Sequence, residues 1–379
     1  MLQHKVGAIE LWKQMGSEMS VEFISITYPN ESTDIAPIPG APVDPKYLVR
    51  YARALEDAGF NYTLIPYDSS SFDNFTIGAT IAAVTSRLKL IIALRPNTIY
   101  PTVAAKALAT LDQLSNGRVV VHFIAGGSDE EQAKEGDFLT KEERYARLEE
   151  YIAILKRIWK EKEPFDFDGR FYQFKGFRSA VRPVQTAIPV SVGGSSDDAF
   201  RIGGRADIFG LWGEPLAETR QQIDRVHGEA AKAGRAEKPR IWVTFRPIIA
   251  ETDELAWARA HRILDNLNKH NGGGSKPQPQ NIGSQRLLDF ASKAEVHDKA
   301  LWFAPVAATN ARGASTALVG SPETVARVIL DYVDLGADLI SIRGYDNLYD
   351  AIDYGRYVLP LVREGLAKRG LDLPGVAAE

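Results

Sequence analysis

One beat runs through this chain: a short apolar segment that reads as a strand, then a segment that reads as a helix, eight times over. The strand-like segments are VEFISIT, NYTLIPY, LKLIIALR, RVVVHFIAG, PVSVGG, DIFGLW, RIWVTFRP and DLISIRGY. Parallel strands need helical crossovers, so eight successive βα units predict an α/β fold, a closed (β/α)8 barrel. The segments are rich in Val and Ile and mostly lack strict alternation, as a parallel sheet covered on both faces requires. Chemistry in such a barrel sits at the C-terminal rim. The residues to question are therefore those where strands stop: Tyr67, Asn97, Gly126, the run Gly193-Gly194-Ser195-Ser196, Trp212, Arg246 and Tyr345.

The helices carry their own punctuation. PKYLVRYARALEDAG has apolar residues at helical spacing and stops at Gly59, a residue suited to the left-handed position past a helix end. KEERYARLEEYIAILKRIWK ends in basic residues, which favour a helix C-terminus. Three insertions interrupt the beat. Residues 28–44 form a Pro-rich loop after the first strand. Residues 161–186 contain FDFDGRFYQF, a hairpin pattern with Asp168-Gly169 at its turn. Residues 268–312 contain NKHNGGGSKPQPQNIGS, a composition expected to be mobile and placed where it can close over the rim. The reading is one barrel domain over 21–369, with an N-terminal extension over 1–20 and a tail over 370–379.

A 379-residue chain accommodates one barrel with such insertions. A formal net charge of -4 argues against a nucleic-acid surface, which would be basic. With no cysteine, disulfides, thiolate metal sites and a catalytic thiol are excluded. No apolar run is long enough to span a bilayer. The first twenty residues lack the apolar core and cleavage site of a signal peptide, and Met19 is an alternative start. A cytoplasmic location is expected by default.

The strongest local signal is VSVGGSSDDAF, where a strand runs into two glycines and two serines before a helix. Glycines let a backbone approach an anion closely, and free N–H groups at a helix start attract one. The same residues also describe a plain capped turn. Trp212, Arg246, Arg343 and Tyr345 stand at strand ends, with Arg312 in the loop before the last helix pair. Arginine forks match oxyanions. Several converging on one rim suggest an anionic substrate head, although each alone is more simply a salt bridge. His122 lies in VVVHFIAG, as a core residue or as a group facing the rim. No histidine pattern suggests a metal, and no Walker loop, Rossmann fingerprint or nucleophile elbow stands in a fitting context.

The segments LRPNTIYPTVAAKALATLDQLSNGR, ERYARLEEYIAILKRIW, VSVGGSSDDAF, LWGEP and STALVGSPETVARVILDYVDLGADLISIRGY resemble the reduced-flavin-dependent alkanesulfonate monooxygenases of the bacterial-luciferase-like superfamily. The resemblance covers nearly the whole chain, with motifs in family order. VHFIAGGSDEEQ and TFRPII are nearer to the sulfoquinovose monooxygenases, which act on a sulfonated sugar. The resemblance implies a luciferase-like TIM barrel that uses FMN as FMNH2, supplied by a separate NAD(P)H-dependent flavin reductase. With O2 as co-substrate, the C–S bond of an organosulfonate would be cleaved to an aldehyde and sulfite. It also implies a homodimer or homotetramer.

Carried over by position, Gly193, Gly194, Ser195, Ser196 and Tyr145 would hold the FMN phosphate. Ser71, Asn97 and His122 would contact the cofactor, the latter two along the ring or ribityl chain. Trp212, Arg246, Arg312 and Tyr345 would form the sulfonate and catalytic site. Two departures stand out. Ser71 takes the place of the cysteine those enzymes carry after the second strand. Arg246 stands where their R-x-H motif has its histidine. With Arg343 as an extra cation, the pocket reads as more polar than a plain alkyl chain needs.

Three other readings compete. One is a deazaflavin-dependent oxidoreductase of the same superfamily. Another is a phosphate-binding barrel isomerase or aldolase, which wants a lysine or carboxylate base near the rim; no strand carries an obvious lysine. The third is a non-catalytic flavin-binding barrel.

Overall fold

The computed structural model describes residues 21–271, 277–313 and 315–370. The expectations for residues 1–20 and 371–379 lie outside the described residues. In chain order the strands are β1 (Glu22–Ile26), β2 (Tyr62–Ile65), β3 (Lys89–Leu94), β4 (Val119–Phe123), β5 (Phe165–Asp168) and β6 (Gln173–Phe177). There follow β7 (Val190–Gly193), β8 (Ile208–Trp212), β9 (Arg240–Ile249), β10 (Val296–His297), β11 (Leu301–Trp302), β12 (Ala317–Gly320) and β13 (Leu339–Ile342). Eight of them, β1–β4, β7–β9 and β13, pair in parallel around a ring. The ring closes because β9 binds both β8 and β13, and β13 binds β1.

Register and the two-residue period of a strand sort the side chains. Ile24, Tyr62, Ile91, Val120, Ile208, Trp242 and Leu339 pack together inside the barrel. Their neighbours Phe23, Leu90, Ile92, Val121, Ile241, Val243 and Ile340 pack outward in the layer under the helices. Both sets are apolar, which is why the sequence hides the alternation.

The barrel floor is polar. The Glu22 carboxylate accepts from Tyr62 Oη (2.9 Å), Lys89 Nζ (2.8 Å) and Arg240 Nη1 (2.6 Å). Burial alone would raise the Glu22 carboxyl, but Arg240 and Lys89 outweigh it and hold it below its usual range. Lys89 does stand on a strand, contrary to the sequence reading. It lies at the closed end, away from the rim.

Helices cover the outside. The helix Lys141–Lys160 starts in a reciprocal capping box between Thr140 and Glu143, a device worth about 1 kcal/mol. It buries Leu148, Tyr151, Ile154, Leu155 and Ile158 against the barrel. The hairpin falls where FDFDGRFYQF predicts it: Asp168 pairs with Gln173, and Gly169 N–H bonds to Tyr172 O (3.0 Å). No helix among the described residues is long and apolar enough to cross a membrane.

The insertion 268–312 departs from expectation. Residues 272–276 lie outside the described set, but the rest is built structure. It holds the end of the helix Asp253–Asn271, the helices Ile282–Lys293 and Ala304–Thr309, and the strands β10 and β11. Gly, Gln and Pro dominate only its first part. Leu287, Leu301, Trp302 and Phe303 are fully buried further on and fold that part onto the barrel. Its β11 pairs with β12, and β12 pairs in parallel with the C-terminal half of β9.

Candidate active site

A cavity of about 660 Å3 opens at the C-terminal end of the barrel, within the range of ligand pockets. Its floor follows from strand parity. The inward positions that follow the packed layer are Ile26, Leu64, Ala93, His122, Thr244 and Ser341, and each lines the cavity. The cavity has two polar ends, and the floor between them is half apolar and half polar.

The first end lies where β7 stops. Gly193, Gly194 and Ser195 line it, with Tyr145, Arg144 and Lys141 from the helix Lys141–Lys160. A Cβ on Gly193 would stand 2.9 Å from the Gly210 carbonyl oxygen, so the strands leave no room for a side chain there. Gly194 has φ +134°, a conformation that L side chains rarely adopt. The Ser195 hydroxyl donates to Gln222 Oε1 (3.2 Å). Ser196 Oγ caps the following helix through Ala199 N–H (3.3 Å) and donates to the Tyr145 hydroxyl (3.2 Å). Burial raises the Tyr145 phenol, which keeps it protonated and able to donate.

That following helix, Asp197–Gly203, is only seven residues long and begins with two aspartates. Its dipole is therefore a weak source of attraction for an anion. The charge comes instead from Arg144, which is 4% exposed. Its Nη1 donates to Leu139 O (2.7 Å) and its Nη2 pairs with Asp129 Oδ1 (2.9 Å), while Nε is buried with no partner. Arg144, Lys141 and Gln222 were not singled out from the sequence. Arg144 sits beside Tyr145 within ERY, and the signal was an arginine on the apolar face of an amphipathic helix.

His122 projects into the floor. Its Nδ1 lies 2.9 Å from Ser191 Oγ, its register partner on β7, and its ring is 5.2 Å from that of Trp242. Burial lowers its pKa to about 4, so the imidazole is neutral near pH 7. Tyr67 also lines the cavity, with its hydroxyl donating to Glu135. Arg95 binds the other Glu135 oxygen at 2.9 Å.

The second end lies where β8, β9 and β13 stop. Trp212 and Arg343 line it, beside Gly313. Arg343 Nη1 donates to the Tyr28 hydroxyl (2.7 Å) on the Pro-rich loop. Arg246 and Tyr345 do not line the cavity. Arg246 is 3% exposed; it donates to Asp34 Oδ2 (2.5 Å) and Gly344 O (2.7 Å), and its guanidinium lies 3.7 Å from the Tyr345 ring centre.

The cause of this placement is β9. It follows β13 as far as Phe245 and at Arg246 changes neighbour to β12, carrying Arg246 off the rim and into the wall behind it. Asp34 lies among three arginines. Burial would raise its carboxyl, but Arg246 first, then Arg343 and Arg312, outweigh that and hold it low. Arg312 is exposed and outside the lining.

Two further positions stand apart. Ser71 is exposed in the turn after β2 and does not reach the cavity. Asn97 also lies outside the lining, with both amide atoms buried and without partners.

A model of the family described as luciferase-like monooxygenase matches residues 26–339. Solved structures of the same fold include a riboflavin lyase (RcaE) described with modified FMN and substrate riboflavin. It is 20% identical, covers 95% of this chain and 94% of that one, and has a TM-score of 0.76. DmoA from Hyphomicrobium sulfonivorans is 19% identical over 96% of this chain and 91% of its own, with a TM-score of 0.74. The EDTA monooxygenase from Chelativorans sp. BNC1 is 18% identical over 93% and 98%, also at 0.74.

Proposed function

The chain belongs to the luciferase-like monooxygenase family, and from that premise we propose that it is the oxygenating component of a two-component, FMNH2-dependent organosulfonate monooxygenase. The observation that carries the reading is a cavity with two cationic ends and a floor of mixed polarity between them. Arg144 and Lys141 stand at one end and Arg343 at the other.

The residues present suit FMN. The glycine pair at 193–194 lines the cavity without side chains, Tyr145 and Ser195 can hydrogen-bond a phosphate there, and Arg144 supplies positive charge. The floor of Ile26, Leu64, Ala93 and Trp242 suits a flat aromatic ring, and neutral His122 offers a hydrogen bond without a charge. When bound, reduced FMN supplies the electrons for oxygen activation. The protein's share is to bind, orient and exclude water.

Arg343, with Arg312 nearby, would hold the sulfonate, and Trp212 would pack on the carbon attached to it. A charge-assisted bond in a sheltered site contributes roughly 1.5–3 kcal/mol. With one lining arginine at this end, the reading favours a small sulfonate, alkyl or hydroxylated as in a sulfo-sugar. The reductant comes from a separate NAD(P)H-dependent flavin reductase, and the barrel works as a homodimer or homotetramer.

The test is sulfite release across a sulfonate panel, with FMN, a flavin reductase, NADH and air. Sulfite above the reductase-only background for at least one sulfonate is expected. No sulfite from any member, with tight binding of a deazaflavin instead, would replace the reading with hydride transfer.

A further inference from the structure

Arg144 is held by a carboxylate of its own chain at the place where the proposed phosphate would bind. Asp129 pairs with Arg144 Nη2 at 2.9 Å, yet the Asp129 side chain is 66% exposed while that of Arg144 is 4% exposed. Asp129 is also gripped from the opposite side. Its backbone N–H donates to Gln280 Oε1 (2.8 Å), and its Oδ2 accepts from Gln280 Nε2 (3.2 Å). Gln280 and the next residue, Asn281, line the same cavity. Asn281 packs so close over Gly127 that a Cβ there would stand 2.8 Å from its Nδ2. A single carboxylate thus links the buried cation of the site to the segment lying over it.

A phosphate monoester carries about -1.5 to -2 charge at pH 7. Set against Arg144 it would lie beside the Asp129 carboxylate, and like charges at hydrogen-bond range repel. The phosphate has the larger charge and can also bond Tyr145 and Ser195, which line the cavity and which Asp129 does not engage. Asp129, being exposed, can turn to solvent at little cost.

We propose that Asp129 and the flavin phosphate are alternative partners of Arg144, and that their exchange removes the Asp129 Oδ2–Gln280 bond, leaving Gln280 on the Asp129 backbone N–H alone, and so couples cofactor binding to the roof of the cavity. The proposal rests on the FMN reading above and adds to it a competing carboxylate and a mechanical consequence. Asp129 is a positioning residue here, acting through Arg144 and Gln280.

The test uses the full chain, with FMN and riboflavin titrated by flavin fluorescence into wild type and Asp129→Asn. Removing the competing charge should tighten FMN about 10-fold and leave riboflavin unchanged. The second readout is hydrogen exchange at residues 277–283. In wild type, FMN should speed exchange there. In Gln280→Ala, exchange should already be fast and FMN should add little. If wild type prefers FMN over riboflavin but Asp129→Asn binds FMN no tighter, the competition is refuted while the cofactor reading stands. If FMN binding leaves wild-type exchange at 277–283 unchanged or slows it, the coupling is refuted. Equal affinity for FMN and riboflavin in wild type would overturn the phosphate site itself, and the proposal with it.

Discussion

Arg144 and Arg246 are buried to a similar degree, at 4% and 3% exposure. Each carries a buried Nε without a partner, and each pairs with an aspartate more exposed than itself. Only Arg144 faces the cavity. Arg246 also donates to the Gly344 carbonyl and lies against the Tyr345 ring, so its pairing ties the Pro-rich loop, through Asp34, to the end of β13. The contrast teaches that an arginine at a strand end is not thereby a ligand. What decides is whether its strand stays in the barrel at that residue and how many donors the chain has already engaged. Arg343 passes on position: it continues the inward parity of β13 and lines the cavity.

The largest expected effect follows from that distinction. Arg343→Met should lower kcat/KM for the sulfonate about 100-fold, or roughly 2.7 kcal/mol, with FMN affinity within about 2-fold of wild type. Arg246→Met should act on stability instead. It removes two charge-assisted bonds and leaves Asp34 and the Gly344 carbonyl without their partner, but Asp34 can rehydrate. The expected cost is about 2 kcal/mol, read from urea unfolding. A stable Arg246→Met protein that loses sulfite release would restore Arg246 to the substrate site and break the comparison.

The floor of the barrel gives a third, smaller effect. The folded-state pKa of Glu22 is held below the ordinary glutamate value of 4.5. Its stabilisation is therefore present above about pH 4.5 and is lost as pH falls through the depressed folded value. Glu22→Gln should cost about 1–2 kcal/mol at pH 7 and flatten the fall in stability below pH 4.5. An unchanged acid limb in the variant would show that other carboxylates set it. The smallest effect is a null one. Because burial holds His122 near pKa 4, its NMR titration should show no midpoint between pH 5 and 8. A midpoint near 6.5 would mean that the imidazole is hydrated and that the floor is wetter than described.

The architecture was legible because its signal is collective. Eight strand segments and their crossovers reinforce one another, and all eight are barrel strands. Parity within them marks His122, Thr244 and Ser341 as inward, although apolar residues on both faces hide it by eye. Arg246 was misplaced because a strand's length cannot be read where apolar residues run on: β9 extends to Ile249 and changes neighbour partway. Arg144 went unremarked because charge on a helix reads as solvated, and only packing shows this one buried. The insertion 268–312 looked mobile through its Gly, Gln and Pro start, while Trp302 and Phe303 further on fold it into the wall. Asp34 and Asp129 were invisible for a different reason: their partners lie 212 and 15 positions away in sequence, and nothing local marks either pairing.

The central claim is that the two cationic ends of the cavity do separate work, one for a flavin phosphate and one for a substrate anion. The direct measurement is a fluorescence titration of FMN and of riboflavin into wild type, Arg144→Met and Arg343→Met. Wild type should bind FMN about 100-fold tighter than riboflavin, Arg144→Met should lose most of that preference, and Arg343→Met should keep it. Equal affinities in wild type, or a preference lost in Arg343→Met and kept in Arg144→Met, would contradict the account.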